Sequence, residues 1–321
     1  MRKFFRYLLI TIGILIIAVA GFAGYIAIRG IPHYTAEKIS IKVDATPARL
    51  ERGQVLVSLL CSNCHMDPNT GKLTGREMTD APQFGKIYSR NITRDSVHGI
   101  GKWTDGEIIY LLRTGLKPDG TYLPPYMAKL PHMSDEDIFS VITFLRSEHP
   151  WVAPDNTVHP ATEPSLLTKF MCNVGIAKPF PYPASPIPQP DTNNAVALGR
   201  YNVFNFDCFS CHSADFKTDD FLNPEKSKGY CGGGNGLLME NGTTIKSLNL
   251  TMDEETGIGK WTEEQFVMAV KSGILPGNQP ALRNPPMRPY ASLSDKEVKS
   301  IFAYLKTIPK INNKVERNIA E

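Results

Sequence analysis

Two segments of the chain place two cysteines and a histidine at the same spacing. Both follow the pattern C-x-x-C-H, and they are Cys61-Ser-Asn-Cys64-His65 and Cys208-Phe-Ser-Cys211-His212. In c-type haem attachment, such a pair of thiols bonds one edge of the porphyrin covalently, and the histidine that follows ligates the iron. A zinc site or a redox-active disulfide would need a second ligand pair or a thioredoxin-like βαβ pattern, and the sequence has neither. The motifs therefore predict two covalently bound haem c groups.

The two motifs belong to a longer internal repeat. Residues 91–104 and 249–262 share their asparagine, threonine and Gly-Ile-Gly-Lys-Trp-Thr ending at an offset of 158 positions, whereas the motifs are 147 positions apart. The second copy therefore holds about 11 additional residues, which we place within 213–248. Duplication of one haem-binding unit explains the shared order of features.

The stretch between the copies is rich in proline. Ten of the chain's 25 prolines fall within residues 148–193. Proline removes a backbone donor and fixes φ, so this density predicts an extended connector rather than a regular helix or a central strand. Because prolines stiffen a linker, we expect the connector to hold the copies at a defined separation.

Each copy is predicted to be helical. The expected helices occupy equivalent places: about 47–60 and 194–207 before the motifs, from the capping boxes at Thr104 and Thr262 to Gly115 and Gly273, and after Ser134 and Ser294. We therefore predict an all-α fold with two tandem domains, residues 31–147 and 194–310. Residues 1–30 precede them, 148–193 connect them, and 311–321 form a C-terminal tail.

The second axial ligand decides whether each haem is closed or open to small molecules. Met127 and Met287 are the candidates, because each follows a Pro-Pro pair and stands seven residues before the serine that begins the last helix of its copy. We expect iron coordination by His65 with Met127 and by His212 with Met287. Methionine ligation closes the haem and raises its reduction potential.

Two other side chains near Met127 are alternative ligands in the first copy. Met133 aligns with Leu293 of the second copy, so we predict that it packs in the core. His132 aligns with Ser292, so a bis-histidine site is not expected.

The N-terminal segment predicts a membrane anchor. Residues 8–28 contain no charge, and 21 residues of helix span about 31 Å, enough for the hydrocarbon core of a bilayer. Arg2, Lys3 and Arg6 precede this stretch, so the haem domains should lie on the periplasmic side of the cytoplasmic membrane. A signal peptide cleaved after Ala18-Val19-Ala20 is the alternative, but the apolar stretch continues past that site. We expect an uncleaved single-pass anchor.

The overall charge argues against a nucleic-acid partner. The chain has 35 lysines and arginines against 32 acidic residues, and three of the basic residues precede the apolar segment. The remainder is therefore electrically balanced, which does not favour nucleic-acid binding or a strongly basic docking face.

The order of helix, haem motif, loops, methionine loop and terminal helix resembles class I cytochromes c in both copies. The segments 84–93 and 99–103, with their counterparts 242–251 and 257–261, resemble the membrane-bound cytochrome c subunits of bacterial alcohol, gluconate and related sugar dehydrogenases. The match covers roughly 48–147 and 194–308. Those subunits usually carry three haem domains, whereas this chain has two. The resemblance implies a dehydrogenase as one possible redox partner.

These features predict an electron carrier without catalytic residues. A membrane-tethered dihaem cytochrome would pass single electrons from a respiratory donor, a dehydrogenase or a quinol-oxidising complex, to a terminal acceptor such as an oxidase. A dihaem enzyme, such as a peroxidase or a thiosulfate dehydrogenase, is the alternative. That class needs an open or unusually ligated haem, and a methionine in both copies argues against it.

Several shared residues are candidates for binding the haem propionates. Trp103 and Trp261 follow Gly-Lys at the start of a helix, and a buried indole N–H needs an acceptor. Arg90 is nearby in sequence and is a third candidate. Asn91 and Asn249 fit either this role or a turn.

The two cysteines outside the motifs, Cys172 and Cys231, leave two possibilities open. An oxidising compartment permits a disulfide between them, and two buried thiols are the alternative.

Charge differences between the copies predict unequal haem potentials. Arg90 and Arg94 of the first copy are replaced by Leu248 and Met252 in the second. Fewer positive charges favour the ferric state, so we expect the lower potential at the second haem.

Overall fold

The computed structural model describes residues 1–239, 242–277, 279–280 and 290–316. Ten helices lie within these residues: α1 Arg2–Arg29, α2 Pro47–Leu60, α3 Ser62–His65, α4 Asp105–Thr114, α5 Asp135–Leu145, α6 Leu166–Asn173, α7 Ala195–Asn205, α8 Cys208–His212, α9 Glu263–Ser272 and α10 Asp295–Leu305. Seven short strands accompany them: β1 Glu77–Met78, β2 Gly85–Tyr88, β3 Glu163–Pro164, β4 Gly236–Leu238, β5 Thr244–Lys246, β6 Ile274–Leu275 and β7 Gln279–Pro280.

The helices match the positions expected from sequence. The capping boxes at Thr104 and Thr262 are present, and α4 and α9 end at left-handed glycines, Gly115 with φ of 81° and Gly273 with φ of 68°. Such glycines end helices because they adopt positive φ without a Cβ clash. The equivalent elements of the two copies therefore begin and end on the same local signals.

Helix α1 lies almost entirely outside the hydrophobic core. It is 28 residues long, an 18-residue stretch within it has a mean hydropathy of 2.4, and Ile26 is its one buried residue. At 1.5 Å per residue it extends about 42 Å, which exceeds a bilayer's hydrocarbon thickness. By length and composition this helix can cross a membrane, as the sequence predicts.

In each copy the helix before the motif crosses the last helix of that copy at a glycine. A Cβ added to Gly53 of α2 would lie 2.0 Å from the Ser140 carbonyl oxygen of α5, and one on Gly199 of α7 would lie 1.9 Å from the Ser300 carbonyl oxygen of α10. Hydrogen is thus the one side chain that allows these backbones to approach so closely. The sequence shows both glycines, but without the fold their role is not apparent.

We expect Gly53→Ala to destabilise the protein by about 1–3 kcal/mol, because the added methyl group forces α2 and α5 apart. Guanidinium unfolding of the full-length haem-loaded protein measures this change. Gln54→Ala is the matched control, since Gln54 is exposed on the same helix and alanine favours helix formation. Equal unfolding midpoints for the two variants would contradict the role assigned to Gly53.

The all-α prediction needs a correction, because the described residues also contain three small sheets. Strands β1, β2 and β3 form one antiparallel sheet, while β4–β5 and β6–β7 form two-stranded ribbons. Each strand is two to four residues long, too short to produce an alternating hydrophobic pattern. The strands connect loops by backbone hydrogen bonds, and the main core consists largely of residues from the helices.

The connector is also different from the extended segment predicted. It contains helix α6, capped by the Ser165 hydroxyl, which accepts from the Thr168 amide at 3.1 Å. Residues 165–178 contain no proline, so this part of the connector is free to form a helix. Further along, the amide of Phe180 donates to the Thr114 carbonyl at 3.1 Å. The connector therefore folds against the first copy instead of spanning the gap as a spacer.

The two copies share a single hydrophobic core and a polar contact at its edge. The guanidinium of Arg52 in α2 donates to Asp137 of its own copy at 3.0 Å and to Glu297 of the other copy at 2.6 Å. The Tyr201 hydroxyl of α7 donates back to Asp137 at 2.7 Å. Asp137 and Glu297 are equivalent positions in the repeat, 160 residues apart. This contact, rather than the connector alone, fixes the relation of the copies.

Candidate haem-binding site

Each C-x-x-C-H motif forms a short helix immediately after a longer one. Cys61 ends α2, and the amides of Cys64 and His65 both donate to its carbonyl, at 3.2 and 2.9 Å. In the second copy Asp207, with φ of 62°, makes the turn between α7 and α8. Helical geometry places residues three apart on the same side. The two thiols of each motif therefore lie one turn apart, on the side from which a porphyrin edge can be bonded.

Both motif histidines are fixed by a backbone carbonyl. Nδ1 of His65 lies 2.7 Å from the Arg90 carbonyl oxygen, and Nδ1 of His212 lies 2.8 Å from the Leu248 carbonyl oxygen. A carbonyl can only accept, so Nδ1 carries the hydrogen and Nε2 keeps its lone pair for a metal. Burial lowers the pKa of both imidazoles, partly offset by these hydrogen bonds, and this favours the neutral form that ligates iron.

A second glycine pair shapes the backbone beside each histidine. The amide of Gly75 donates to the His65 carbonyl at 2.8 Å, and the amide of Gly233 donates to the His212 carbonyl at 2.7 Å. Their φ values are 91° and 71°. A Cβ on Gly75 would lie 2.3 Å from the carbonyl oxygen of Ser89. Sequence reasoning missed both positions, although their offset equals the 158-residue spacing of the repeat.

That offset also locates the additional residues of the second copy more narrowly. The offset changes from 147 at the histidines to 158 at the glycines, so the insertion lies between His212 and Gly233, inside the predicted range. This segment touches the first copy, since His132 Nε2 lies 3.0 Å from the Phe221 carbonyl oxygen. The ring of His132 also packs against Phe204 at 5.4 Å between centroids. His132 thus serves the contact between the copies.

Two of the three methionines considered as ligands or core residues, Met127 and Met133, lie within the described residues. Met127 lies in the loop after Pro124, whose carbonyl accepts from its amide at 3.1 Å, and its half-buried side chain packs against the main core. Met133 has no exposed surface, and its counterpart Leu293 is 1% exposed, as expected of packing residues. Met287 lies outside the described residues. Ligation by Met127 and Met287 therefore stays a prediction.

The propionate candidates lie at the surface of the same region. The guanidinium of Arg90 donates to the carbonyls of His159 and Pro160, both at 3.2 Å. Trp103 and Trp261 are half-buried against the core. Their amides donate to equivalent carbonyls 3.1 and 2.9 Å away, so both tryptophans occupy the same turn. Binding of propionates by these three residues stays a prediction.

The asparagine pair forms turns, which was one of its two predicted roles. Oδ1 of Asn91 accepts from the amide and hydroxyl of Thr93 at 2.9 and 2.7 Å, and Asn249 makes the same contacts with Thr251 at 2.9 and 2.8 Å. Nδ2 of Asn249 donates to the Ile311 carbonyl at 2.7 Å. Both asparagines are therefore buried residues that stabilise the first turn of the loop that ends in Gly-Lys-Trp.

The cysteines outside the motifs are two buried thiols. All six cysteines lie in the described part of the chain, and no disulfide joins any of them there. Cys172 belongs to α6 and a small satellite core, whereas Cys231 is fully buried in the main core. Cys231 stands 158 residues after Leu73, which is equally buried. It therefore fills an apolar position, and burial raises its pKa well above the usual value.

The donor set of each copy fits a haem c group. Each site offers two thiols one helical turn apart and an imidazole oriented by a carbonyl, beside an apolar core. These are the groups that attach a porphyrin and hold its iron from one side. The second copy repeats the arrangement of the first, so the same donor set is present twice.

Several known proteins are similar to this chain in sequence. No protein-family model matches the chain. The fructose dehydrogenase cytochrome subunit of Gluconobacter japonicus is 26% identical over 272 residues, which cover 81% of this chain and 52% of the relative. The alcohol dehydrogenase (quinone), cytochrome c subunit, of Gluconobacter oxydans is 27% identical over 277 residues, 84% of this chain and 56% of the relative. The chain thus spans little more than half the length of these relatives.

A third relative matches this chain over nearly its whole length. The diheme cytochrome c-type protein of Cereibacter sphaeroides is 25% identical over 319 residues, which cover 94% of this chain and 98% of the relative. The resemblance to cytochrome c subunits of dehydrogenases and to a dihaem cytochrome c, predicted from sequence, is confirmed.

Proposed function

We propose that this chain is a membrane-anchored dihaem cytochrome c that carries single electrons from a respiratory donor to a terminal acceptor. The observation that carries the proposal is the paired geometry of His65 and His212, each following two cysteines and each held through Nδ1 by a main-chain carbonyl. Haem supplies the reversible one-electron chemistry when it is bound. The chain supplies covalent attachment, an oriented axial ligand and an apolar surrounding.

Equivalent residues of the two copies are assigned to the two haems. Cys61 and Cys64 attach the first haem, which His65 and Met127 ligate. The second haem is attached and ligated by the equivalent set, Cys208, Cys211, His212 and Met287. If Met127 and Met287 complete the coordination of the two irons, neither iron would offer a site for peroxide or for another small substrate. This arrangement favours a carrier over a dihaem enzyme.

A dehydrogenase is the donor that the comparisons favour. The relatives named as subunits of fructose and alcohol dehydrogenases match more than four fifths of this chain. We therefore propose that the chain accepts electrons from a membrane-associated dehydrogenase. The basic residues Arg2, Lys3 and Arg6 before the apolar helix favour haem domains on the periplasmic side.

Co-purification from detergent-solubilised membranes tests the donor. A tagged full-length chain should retain a dehydrogenase, and the substrate of that enzyme should reduce both haems in the isolated complex. A matched preparation of the Cys61→Ala/Cys64→Ala variant should show half the reducible haem. Strong binding of CO by the untouched reduced protein would instead favour the enzyme alternative.

We expect the second haem to have the lower reduction potential. Of the two arginines that the second copy lacks, the structure favours Arg90 as the cause. Arg94 forms an ion pair with Glu148, 2.5 Å between nitrogen and oxygen, so its charge is compensated. Arg90 donates to neutral carbonyls and keeps its charge. Arg90→Leu should therefore lower the first haem's potential towards that of the second, and Arg94→Met should change it less.

Redox titration of variants that each retain one haem measures this difference. Equal potentials in the otherwise unchanged copies, or a lower value at the first haem, would refute the ordering.

A further inference from the structure

An apolar face of helix α6 is exposed beside the end of the anchor helix. Leu166, Leu167, Phe170 and Val174 are 51, 51, 38 and 42% exposed. At 100° per residue, these four positions fall within an arc of about 100°. Ile176, which is 70% exposed, continues the surface beyond the helix. Such a continuous apolar stripe is unusual on a water-facing surface.

The opposite face of α6 is fixed to the first copy. The Thr168 hydroxyl donates to the Phe84 carbonyl at 2.9 Å, and the Ser165 hydroxyl donates to the Gln83 carbonyl at 2.7 Å. Cys172 points into the satellite core and is 2% exposed. These contacts fix the rotation of α6 about its axis. The apolar stripe therefore faces away from the first copy.

Helix α6 lies against the last two turns of α1. The Phe170 ring packs edge-on against the Phe22 ring, with centroids 6.4 Å apart. Nδ2 of the Asn173 side chain donates to the Gly30 carbonyl at 2.8 Å. The Lys169 ammonium donates to a main-chain carbonyl of α1 at 3.2 Å. Phe22 precedes Gly30 by about 12 Å of helix. The stripe is thus level with the end of α1 that leads into the first copy.

We propose that the exposed face of α6, together with Ile176, inserts into the outer boundary of the same bilayer that α1 spans. The inference rests on the membrane anchoring proposed above. A hydrocarbon core of about 30 Å takes up residues 8–28, so residues 22–30 of α1 end at its outer boundary. Apolar side chains at that level contact lipid, and the nearby Arg29 and Lys169 can reach the headgroups.

Lipid is the occupant that the contacts favour. The outer side chains of α1 must themselves face lipid, and the stripe continues that surface directly through the contact between Phe22 and Phe170. A soluble partner would have to displace lipid from one side of α1 to reach the stripe. The bilayer covers it without any additional partner.

The contact would orient the first copy as well as hold it. The carbonyls that accept hydrogen bonds from α6 belong to Gln83 and Phe84. The ring of Phe84 packs against the ring of Tyr126, with 6.1 Å between centroids. Tyr126 immediately precedes Met127, and Tyr34, just after the anchor, packs on Tyr122 of the same loop at 6.1 Å. The loop that carries Met127 therefore lies on the membrane side of the first copy.

A carbene-generating label that partitions into lipid tests the proposal on the full-length haem-loaded protein. The protein is reconstituted in vesicles of phosphatidylcholine with a minor fraction of phosphatidylglycerol, and labelled peptides are mapped by mass spectrometry. We expect label in residues 166–176 as well as in α1. Val97 and Val158, which are 71 and 65% exposed elsewhere, should remain unlabelled.

A paired substitution provides the matched comparison. Leu167→Glu with Ile176→Glu should lower the labelling of this peptide about tenfold, because apolar burial in lipid is replaced by charges that stay in water. Val97→Glu with Val158→Glu should leave it unchanged. The haem absorption spectrum of each variant verifies that the copies remain folded.

The outcomes separate this inference from the proposed function. Label in α1 without label in α6 overturns the membrane contact and leaves the anchor and the electron-carrier role intact. Absence of label from α1 as well overturns the anchor and the contact together. An unlabelled α6 in a protein that migrates as a dimer overturns the lipid contact and assigns the stripe to a second copy of the chain.

Discussion

Replacing Cys61 and Cys64 with alanine should remove one of two haems from the protein. The thiols of Cys61 and Cys64 lie one helical turn apart beside a histidine held by the Arg90 carbonyl, so the substitution removes both proposed covalent bonds to the first haem. Mass spectrometry under denaturing conditions should show two haem additions in the unmodified chain and one in the variant. Haem per chain, measured from the pyridine complex, should fall by half.

The remaining cysteines supply the control. Cys172→Ser and Cys231→Ala should retain both haems, because both thiols are buried and neither belongs to a C-x-x-C-H motif. A variant of the first motif that still carried two haems would disprove its role. A single haem in the unmodified protein would disprove the duplication.

Met127→Ala should open the first haem to external ligands while leaving the second closed. Loss of the thioether removes the ligand that raises the potential and excludes small molecules. The charge-transfer band of methionine-ligated ferric haem should fall by about half, and CO should bind one haem per chain after reduction. Its potential should fall as well.

Met133→Leu is the matched control, because it installs the residue that the second copy has at position 293. Met133 is fully buried, so a side chain of similar volume should preserve the core and the charge-transfer band. Loss of the band in Met133→Leu, with retention in Met127→Ala, would reverse the assignment of ligands in the first copy.

The sequence predicts those parts of this molecule that depend on local signals. Thr104 and Thr262 cap helices because a hydroxyl and a carboxylate or amide three residues on satisfy the first backbone donors. The motifs predict haem attachment because the spacing of two thiols and an imidazole is itself the chemical requirement. Such features need no knowledge of distant residues.

Features that depend on distant contacts escaped sequence reasoning. Gly53 is required because the Ser140 carbonyl, 87 residues away, occupies the space of its side chain. Helix α6 forms within a proline-rich stretch because residues 165–178 lack proline and its inner face finds acceptors at Gln83 and Phe84. No local pattern encodes partners of this kind.

The Arg52 contact also bears on which parts of the chain can fold alone. Arg52 reaches Glu297 across 245 residues of sequence, and Asp137 receives the hydroxyl of Tyr201 across 64. A first copy that emerges alone lacks both partners and leaves its side of the shared core in water. The second copy covers that surface and supplies the two polar partners. We therefore expect the first copy, produced alone, to be less stable than the same residues within the full chain.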